Sequence, residues 1–230
     1  MENNEATPGP TKAAATSKAP ARARRPKKTL TTQEAILEAA EIVFAKNGYA
    51  GATVQGISKQ AKCYESLIYY HFGSKDGLFT MVLENAYRKL IDAELKLDLD
   101  FEDPEAALEK IILFQWQYYQ DNPELIILLN TENLLKGQHL AKLKTLRELL
   151  PPAISNIERA VASGIRKKLF RKDIDTVDLY LATMGLGYFY LSNRYTLSSF
   201  LGRPLADPQQ RAHWGATMVR MIFDTVRRQK

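Results

Sequence analysis

The chain is poor in the residues that build metal sites and disulfides. It has one cysteine, Cys63, and three histidines in 230 residues. A single thiol excludes an intrachain disulfide, and scattered histidines supply no ligand spacing for zinc, so no metal and no cofactor is expected. Long apolar runs are also missing: the one that stands out, Leu125 to Leu129, is far shorter than the roughly 18–20 residues of a membrane span. The first residues lack the apolar stretch of a secretory signal. Together these absences point to a cytoplasmic protein with no membrane partner. No P-loop, dinucleotide fingerprint or nucleophile elbow occurs. His71, His139 and His213 have no acid or nucleophile beside them in sequence, so an enzyme is not expected.

Basic charge is present and unevenly placed. Of the net charge of +6, residues 1–28 carry +5, from seven basic side chains against two acidic ones. They contain no aromatic residue and almost nothing to bury, and read as a disordered basic arm. Such an asymmetry suggests a nucleic-acid partner. The cluster holding Arg24, Arg25, Lys27 and Lys28 stands directly before the first folded element. Two readings are open: a solubilising tail, or an arm that follows phosphates or enters a minor groove.

Beyond residue 30 the pattern is helical almost throughout, and strand alternation is absent. Thr31-Thr-Gln-Glu34 has capping-box spacing, so a first helix starts near Thr32, with Ile36, Ala39, Ala40, Val43 and Phe44 on its apolar face. Asn47-Gly48 stops it. Thr53 caps a short second helix that turns Val54, Ile57 and Ala61 inward. After a turn at Lys62-Cys63-Tyr64, a third helix runs from Glu65 to Phe72, and Ser74 caps a longer fourth. Asp103-Pro104, Asn122-Pro123 and Asp207-Pro208 mark later helix starts. Pro151-Pro152 breaks or kinks a helix, and the two segments around it either separate or merge. The polar stretch Asp173 to Thr176 separates a helix ending near Phe170 from one starting near Val177. The total is about nine helices, an all-α protein.

Two short helices joined by a tight turn, after a longer one, make a helix-turn-helix, whose second helix enters the major groove. With Ile68 and Phe72 facing inward, Leu67, Tyr69, Tyr70 and His71 take outward or flanking directions. Their hydroxyl and imidazole groups suit phosphates and base edges.

These residues carry a resemblance. Ile36-Leu37-Glu-Ala39-Ala40, Val43-Phe44-Ala-Lys-Asn-Gly48-Tyr49 and Ala52-Thr53-Val54 resemble the DNA-binding domain of the TetR family of bacterial regulators. So do Ile57 to Ala61, Ile68-Tyr69-Tyr70-His71-Phe72 and Ser74 to Phe79. The resemblance implies three parts: a basic arm (1–28), a three-helix DNA-binding domain (29–76), and a larger helical ligand-binding and dimerisation domain (77–230). It implies phosphate contacts from Thr53 and Tyr69, a backbone or base contact from His71, a phosphate clamp from Lys75, and a base-reading position at Leu67. The set expected at DNA is therefore Arg24, Arg25, Lys27 and Lys28 with Thr53, Lys62, Glu65, Ser66, Leu67, Tyr69, Tyr70, His71 and Lys75. The chain departs from the family where Lys62 replaces a glycine, Tyr64 replaces a Ser/Thr cap, and Glu65 replaces a basic or small residue. Lys62 there requires a left-handed backbone. Residues 29–75 are formally neutral, with four basic and four acidic side chains, which places long-range attraction on the arm. Cys63 in the turn reads as a packed thiol rather than a redox switch.

The resemblance also implies a two-fold dimer through the last two long helices, because recognition helices roughly 34 Å apart match one turn of DNA. Ala182 and Gly185, with Trp214, Met218, Met221 and Ile222, are the expected interface, although one such face can equally be buried within the monomer. An aromatic or amphipathic small-molecule inducer is expected to meet Trp116, Tyr119, Asn130, Asn133, His139 and Tyr188, although aromatics at helical spacing also serve as core. The stretch from Asn122 to Leu140 resembles a NicS-like subgroup of the family. The implied function is a DNA-binding transcriptional regulator, a repressor released from a palindromic operator by its inducer. A ligand-dependent activator and a non-specific architectural protein are the alternatives.

Overall fold

The helix boundaries follow from short-range capping chemistry. The computed structural model describes residues 31–228, and over 144–153 the backbone alone; the arm residues Arg24, Arg25, Lys27 and Lys28 lie outside the described residues. Helix α1 (Thr32–Gly51) opens with a capping box: the Glu34 N–H donates to Thr31 Oγ1 (3.3 Å), and Glu34 Oε2 accepts from the Thr31 N–H (2.8 Å). Its regular course ends at Gly48, whose φ of 68° lies in the left-handed region. Helix α2 (Val54–Ala61) is capped by Thr53 Oγ1, which accepts from the Gly56 N–H at 3.0 Å. The turn to α3 (Glu65–Phe72) passes through Lys62 at φ 55°, ψ 43°, the left-handed backbone that the missing glycine required. Ser74 Oγ accepts from the Gly77 N–H (3.0 Å) and starts α4 (Lys75–Glu94).

Helices α5 (Pro104–Asp121), α6 (Pro123–Leu134) and α9 (Pro208–Val226) each begin at the proline expected. Asp103 caps α5 with its side chain, but Asn122 instead donates its Nδ2 to the Tyr118 carbonyl (2.8 Å), and Asp207 makes no side-chain cap. A single 3-10 turn at Leu140–Lys142 follows α6. The segments flanking Pro151-Pro152 merge into one helix, α7 (Lys144–Arg166). It closes at Arg166, four residues short of Phe170, and Phe170 instead bridges to Arg227 beside the end of α9. Helix α8 (Thr176–Leu201) starts under Asp175, whose carboxyl accepts from the Val177 and Asp178 N–H groups. Among the described residues there are nine α-helices and no strand, and no helix is long and apolar enough to cross a membrane.

One core runs from Ile36, Phe44, Ile57 and Ile68 of the first three helices, through Phe79 and Leu83 of α4, to Ile112, Ile126 and Phe223. Helix α4 therefore packs its first turns under the helix-turn-helix and its later turns among the larger helices. The α3–α4 corner is tight: a Cβ on Gly77 would stand 2.1 Å from the Phe72 carbonyl oxygen. Gly77→Ala is expected to destabilise the fold by about 1–3 kcal/mol through forced backbone movement. A urea midpoint equal to that of the unaltered protein would show that the corner yields freely.

Candidate functional site

Helix α3 buries Ile68 and Phe72 and turns its remaining surface outward. Glu65, Ser66, Tyr69 and Tyr70 are exposed, and Tyr70 keeps 81% of its surface free. Large exposed phenols on a well-packed short helix have no role in the core, and they offer hydroxyls to phosphates and ring faces to bases. His71 is half-buried, edge-on to both Tyr70 (5.0 Å between ring centroids) and Phe72 (6.1 Å). Leu67 is half-buried and packed against the core, so its side chain also supports the helix it was expected to read from. Tyr64, at the entry to α3, is 82% exposed, makes no side-chain cap hydrogen bond and extends the same face; the signal for it in the sequence is a large phenol where a Ser/Thr cap was expected. Thr53 is exposed at the start of α2. Its Oγ1 accepts the cap hydrogen bond and keeps its own O–H free to donate. Lys62 is exposed at the turn.

Lys75 sits at the first position of α4, where the helix dipole disfavours a cation and favours an anion. Its ammonium is held over the Tyr49 ring, 4.6 Å from the centroid. Tyr49 is itself fixed, its hydroxyl donating to Asp76 Oδ1. Burial, reinforced by Asp76, pushes the Tyr49 phenol up to about 12, so it remains a neutral donor. This brace joins residues far apart in sequence, and periodicity does not expose it. Burial likewise pushes the Cys63 thiol up, which disfavours the reactive thiolate.

The six side chains expected at a ligand divide into three groups. Asn130, Asn133 and Tyr188 meet: Asn130 Oδ1 accepts from the Tyr188 hydroxyl and from Ser192 Oγ (3.0 Å), and Asn133 Nδ2 donates to the same Tyr188 oxygen (3.5 Å). Trp116 and Tyr119 are buried on α5. Trp116 lies edge-on to Tyr190 and against Gly215, where a Cβ would stand 2.9 Å from its Nε1. It also borders a 590 Å³ groove between α5 and α9. His139 is placed differently, at the seam between α6 and the α1–α4 pair. It is fully buried, its ring against Phe79 (4.9 Å) and Tyr49 (5.3 Å), with Nδ1 hydrogen-bonded to Glu132 Oε2 (2.7 Å).

Around the first two groups lie titratable residues that the sequence pattern did not mark. Burial raises the Tyr87 and Tyr180 phenols to about 12; Tyr188 and Glu132 add to the effect at Tyr87, and Glu94 and Tyr87 at Tyr180. Glu94, buried at the end of α4, is pushed up to about 7 by burial, partly offset by a hydrogen bond with Asn156.

Helix α8 presents Leu181, Ala182, Gly185 and Phe189 outward, and a Cβ on Gly185 would meet no atom within 4 Å. On α9 the expected interface splits. Met221 is exposed, but Met218 and Ile222 are buried in the chain's own core, at 0% and 2% exposure. These two belong to the inward face, the alternative that the helical spacing left open. Trp214 is half-buried, its Nε1 donating to the Leu186 carbonyl (3.2 Å). Among the described residues, no group of three His, Cys, Asp or Glu is placed to hold a metal.

Comparison with known proteins places these features. Residues 36–82 match the family described as bacterial regulatory proteins, tetR family, and residues 104–222 match the tetracyclin repressor-like C-terminal domain. The chain is 46% identical to the transcriptional repressor NicS of Pseudomonas putida over 183 residues, 80% of this chain and 86% of that one. A second transcriptional repressor, from Streptomyces coelicolor, is 34% identical over 46% of this chain and 52% of its own. Two solved structures share the fold. A TetR transcription regulator from Haloarcula marismortui gives a TM-score of 0.63 at 18% identity, over 85% of this chain and 98% of that one. The regulator PfmR from Thermus thermophilus gives 0.58 at 21%, over 87% and 100%.

Proposed function

The chain belongs to the TetR family of bacterial regulators, and from this we propose a dimeric repressor that leaves a palindromic operator when a small molecule enters its larger helical region. The observation that carries the DNA half is the exposed face of α3, from Tyr64 to Tyr70, backed by buried Ile68 and Phe72. Glu65, Ser66, Tyr69, Tyr70 and His71 read or contact the groove. Thr53, Lys62 and Lys75 hold phosphates, and Arg24, Arg25, Lys27 and Lys28 follow the backbone beyond. The outward faces of α8 and α9, with Leu181, Ala182, Gly185, Phe189 and Met221, supply the two-fold contact.

Helix α6 supports the coupling. It carries Asn130 and Asn133, bonded to Tyr188 of α8, and also Glu132, bonded to His139 beside Tyr49 and Phe79. Tyr49 in turn holds Lys75. A ligand that shifts Tyr188 relative to α6 thus acts on the element that braces the phosphate clamp. By linkage, it lowers operator affinity by the factor by which DNA lowers ligand affinity.

Footprinting of DNA upstream of the protein's own gene should protect one palindrome, and sedimentation should show a dimer on it. Protection without a defined boundary would favour an architectural protein. Tyr70→Ala should reduce operator affinity by about tenfold or more while changing stability by less than about 0.5 kcal/mol, since the ring is exposed. Equal affinity in a filter-binding titration would remove Tyr70 from the interface.

A further inference from the structure

We propose that the effector is a cation, an aromatic or alkyl amine or quaternary ammonium, held between the Glu94 carboxyl and the phenols of Tyr87, Tyr119, Tyr180 and Tyr188. The inference rests on the reading of this chain as a ligand-responsive regulator and names the chemistry of its ligand. Five polar side chains from three helices converge: Tyr87 and Glu94 from α4, Tyr119 from α5, and Tyr180 and Tyr188 from α8. Tyr87, Tyr119 and Tyr180 each lie close enough to others of the set to feel their charge, and Tyr188 is close enough to act on Tyr87 and Tyr119. The Tyr119 hydroxyl lies in this cluster, fully buried, with no hydrogen-bond partner. Such a group is rare in a packed interior and marks a place that a ligand atom can satisfy. Tyr87, Tyr180 and Tyr188 are half-buried, so the cluster is not sealed off.

The sign of the ligand follows from the charges. Among the described residues, Glu94 makes no ion pair; its hydrogen bond is with the neutral Asn156 of α7. Three residues beyond Asn156 on α7, Arg159 is engaged over the Phe101 ring at 3.8 Å. Among the described residues, the other groups that feel the Glu94 charge are Tyr119 on α5 and Tyr180 on α8, and neither can supply positive charge. A buried carboxyl without a cation tends to hold its proton, which matches its rise to about 7. An ammonium placed beside it restores the carboxylate, and the ring faces add cation–π attraction. An anionic ligand would meet an acid and electron-rich ring faces; among the described residues, Arg194 and Arg211 share a cavity with Tyr119, but neither pairs with Glu94.

Proton linkage gives the pH dependence. Cation binding favours ionised Glu94, so a proton leaves on binding. Affinity should therefore rise with pH up to about 7 and level off above it. A neutral ligand would show no such rise.

The test is calorimetric titration of the full chain with benzyltrimethylammonium, tyramine, para-ethylphenol and para-hydroxyphenylpropionate. The last three are matched in shape and differ in charge. Operator binding by the unliganded protein is measured on the same samples. The expected result is at least tenfold tighter binding of the two cations, proton release near neutral pH, and loss of both properties in Glu94→Gln. Glutamine reproduces the protonated carboxyl in shape and charge, so the variant should fold and keep operator binding. Preference for the neutral or anionic probe, no binding of either cation at millimolar concentration, or an unchanged preference in Glu94→Gln would each overturn the proposal. Operator binding that persists in those cases would leave the reading as a regulator standing; its absence in the unaltered protein would defeat that reading instead.

Discussion

A chain lacking residues 1–28 is expected to bind its operator on the order of 100- to 1,000-fold more weakly at physiological salt, with a shallower salt dependence. The helix-turn-helix is formally neutral over residues 29–75, so the field that draws it to DNA does not come from its own net charge. Glu65 stands exposed on the recognition helix and opposes phosphate locally. Within residues 1–28, seven basic side chains face only two acidic ones, and four of them lie between Arg24 and Lys28. Each neutralised phosphate adds about 0.9 to the slope of log affinity against log salt. Losing four such contacts would lower the slope by roughly 3–4. Discrimination between the operator and a scrambled site should change little, because phosphate contacts position the protein while base contacts specify the sequence. Affinity and slope both equal to those of the full chain would show that the arm is a solubilising tail. A loss of discrimination without a change in slope would place it in the minor groove as a reader.

What was legible in the sequence was local. A capping box at Thr31–Glu34, and hydroxyl caps at Thr53 and Ser74, act over three residues, and all three helices start where those residues place them. The left-handed Lys62 was legible for the same reason, since a tight turn fixes its own backbone. Asn122 shows how far such logic reaches. The helix begins at Pro123 as expected, yet the asparagine side chain turns back to the Tyr118 carbonyl of the preceding helix, a partner that only the corner between α5 and α6 brings near. The faces of α9 show another limit. Spacing groups Trp214, Met218, Met221 and Ile222 as apolar, but does not say which members meet this chain and which meet another. Packing against the chain's own core takes Met218 and Ile222 inward and leaves Met221 out. The Lys75 brace, the seat of His139 against Tyr49 and Phe79, and the phenols around Glu94 join elements distant in sequence, and each residue alone reads as ordinary helix filling. The resemblance to known regulators supplied the function, and the folded chain supplies the contacts by which it can be exercised.

Glu132→Ala is expected to cost about 3–5 kcal/mol of stability, a large share of the ~5–15 kcal/mol that holds a typical domain. The carboxyl is nearly fully buried and serves three groups at once: Oε1 accepts from the backbone N–H groups of His139 (2.7 Å) and Leu140 (3.0 Å), and Oε2 meets His139 Nδ1 (2.7 Å). Alanine would strand the buried His139 N–H and ring nitrogen, and leave the part-buried Leu140 N–H without its acceptor; each buried stranded group costs about 1–3 kcal/mol. The loss should fall first on the seam itself. The 3-10 turn would loosen, His139 would lose its place against Phe79 and Tyr49, and the support beneath Lys75 would weaken. Operator affinity should therefore fall in Glu132→Ala even where the protein remains folded. Glu132→Gln keeps an oxygen for the two N–H groups and an amide for the ring nitrogen, and should recover most of both losses. Urea unfolding, paired with operator titration at a temperature where every variant is folded, separates the two effects. A Glu132→Ala protein with an unchanged urea midpoint would mean that the seam readmits water at no cost. One destabilised but binding DNA at full strength would break the link between α6 and the phosphate clamp, and the coupling would have to run through α4 alone, from Glu94 at its end to Lys75 at its start.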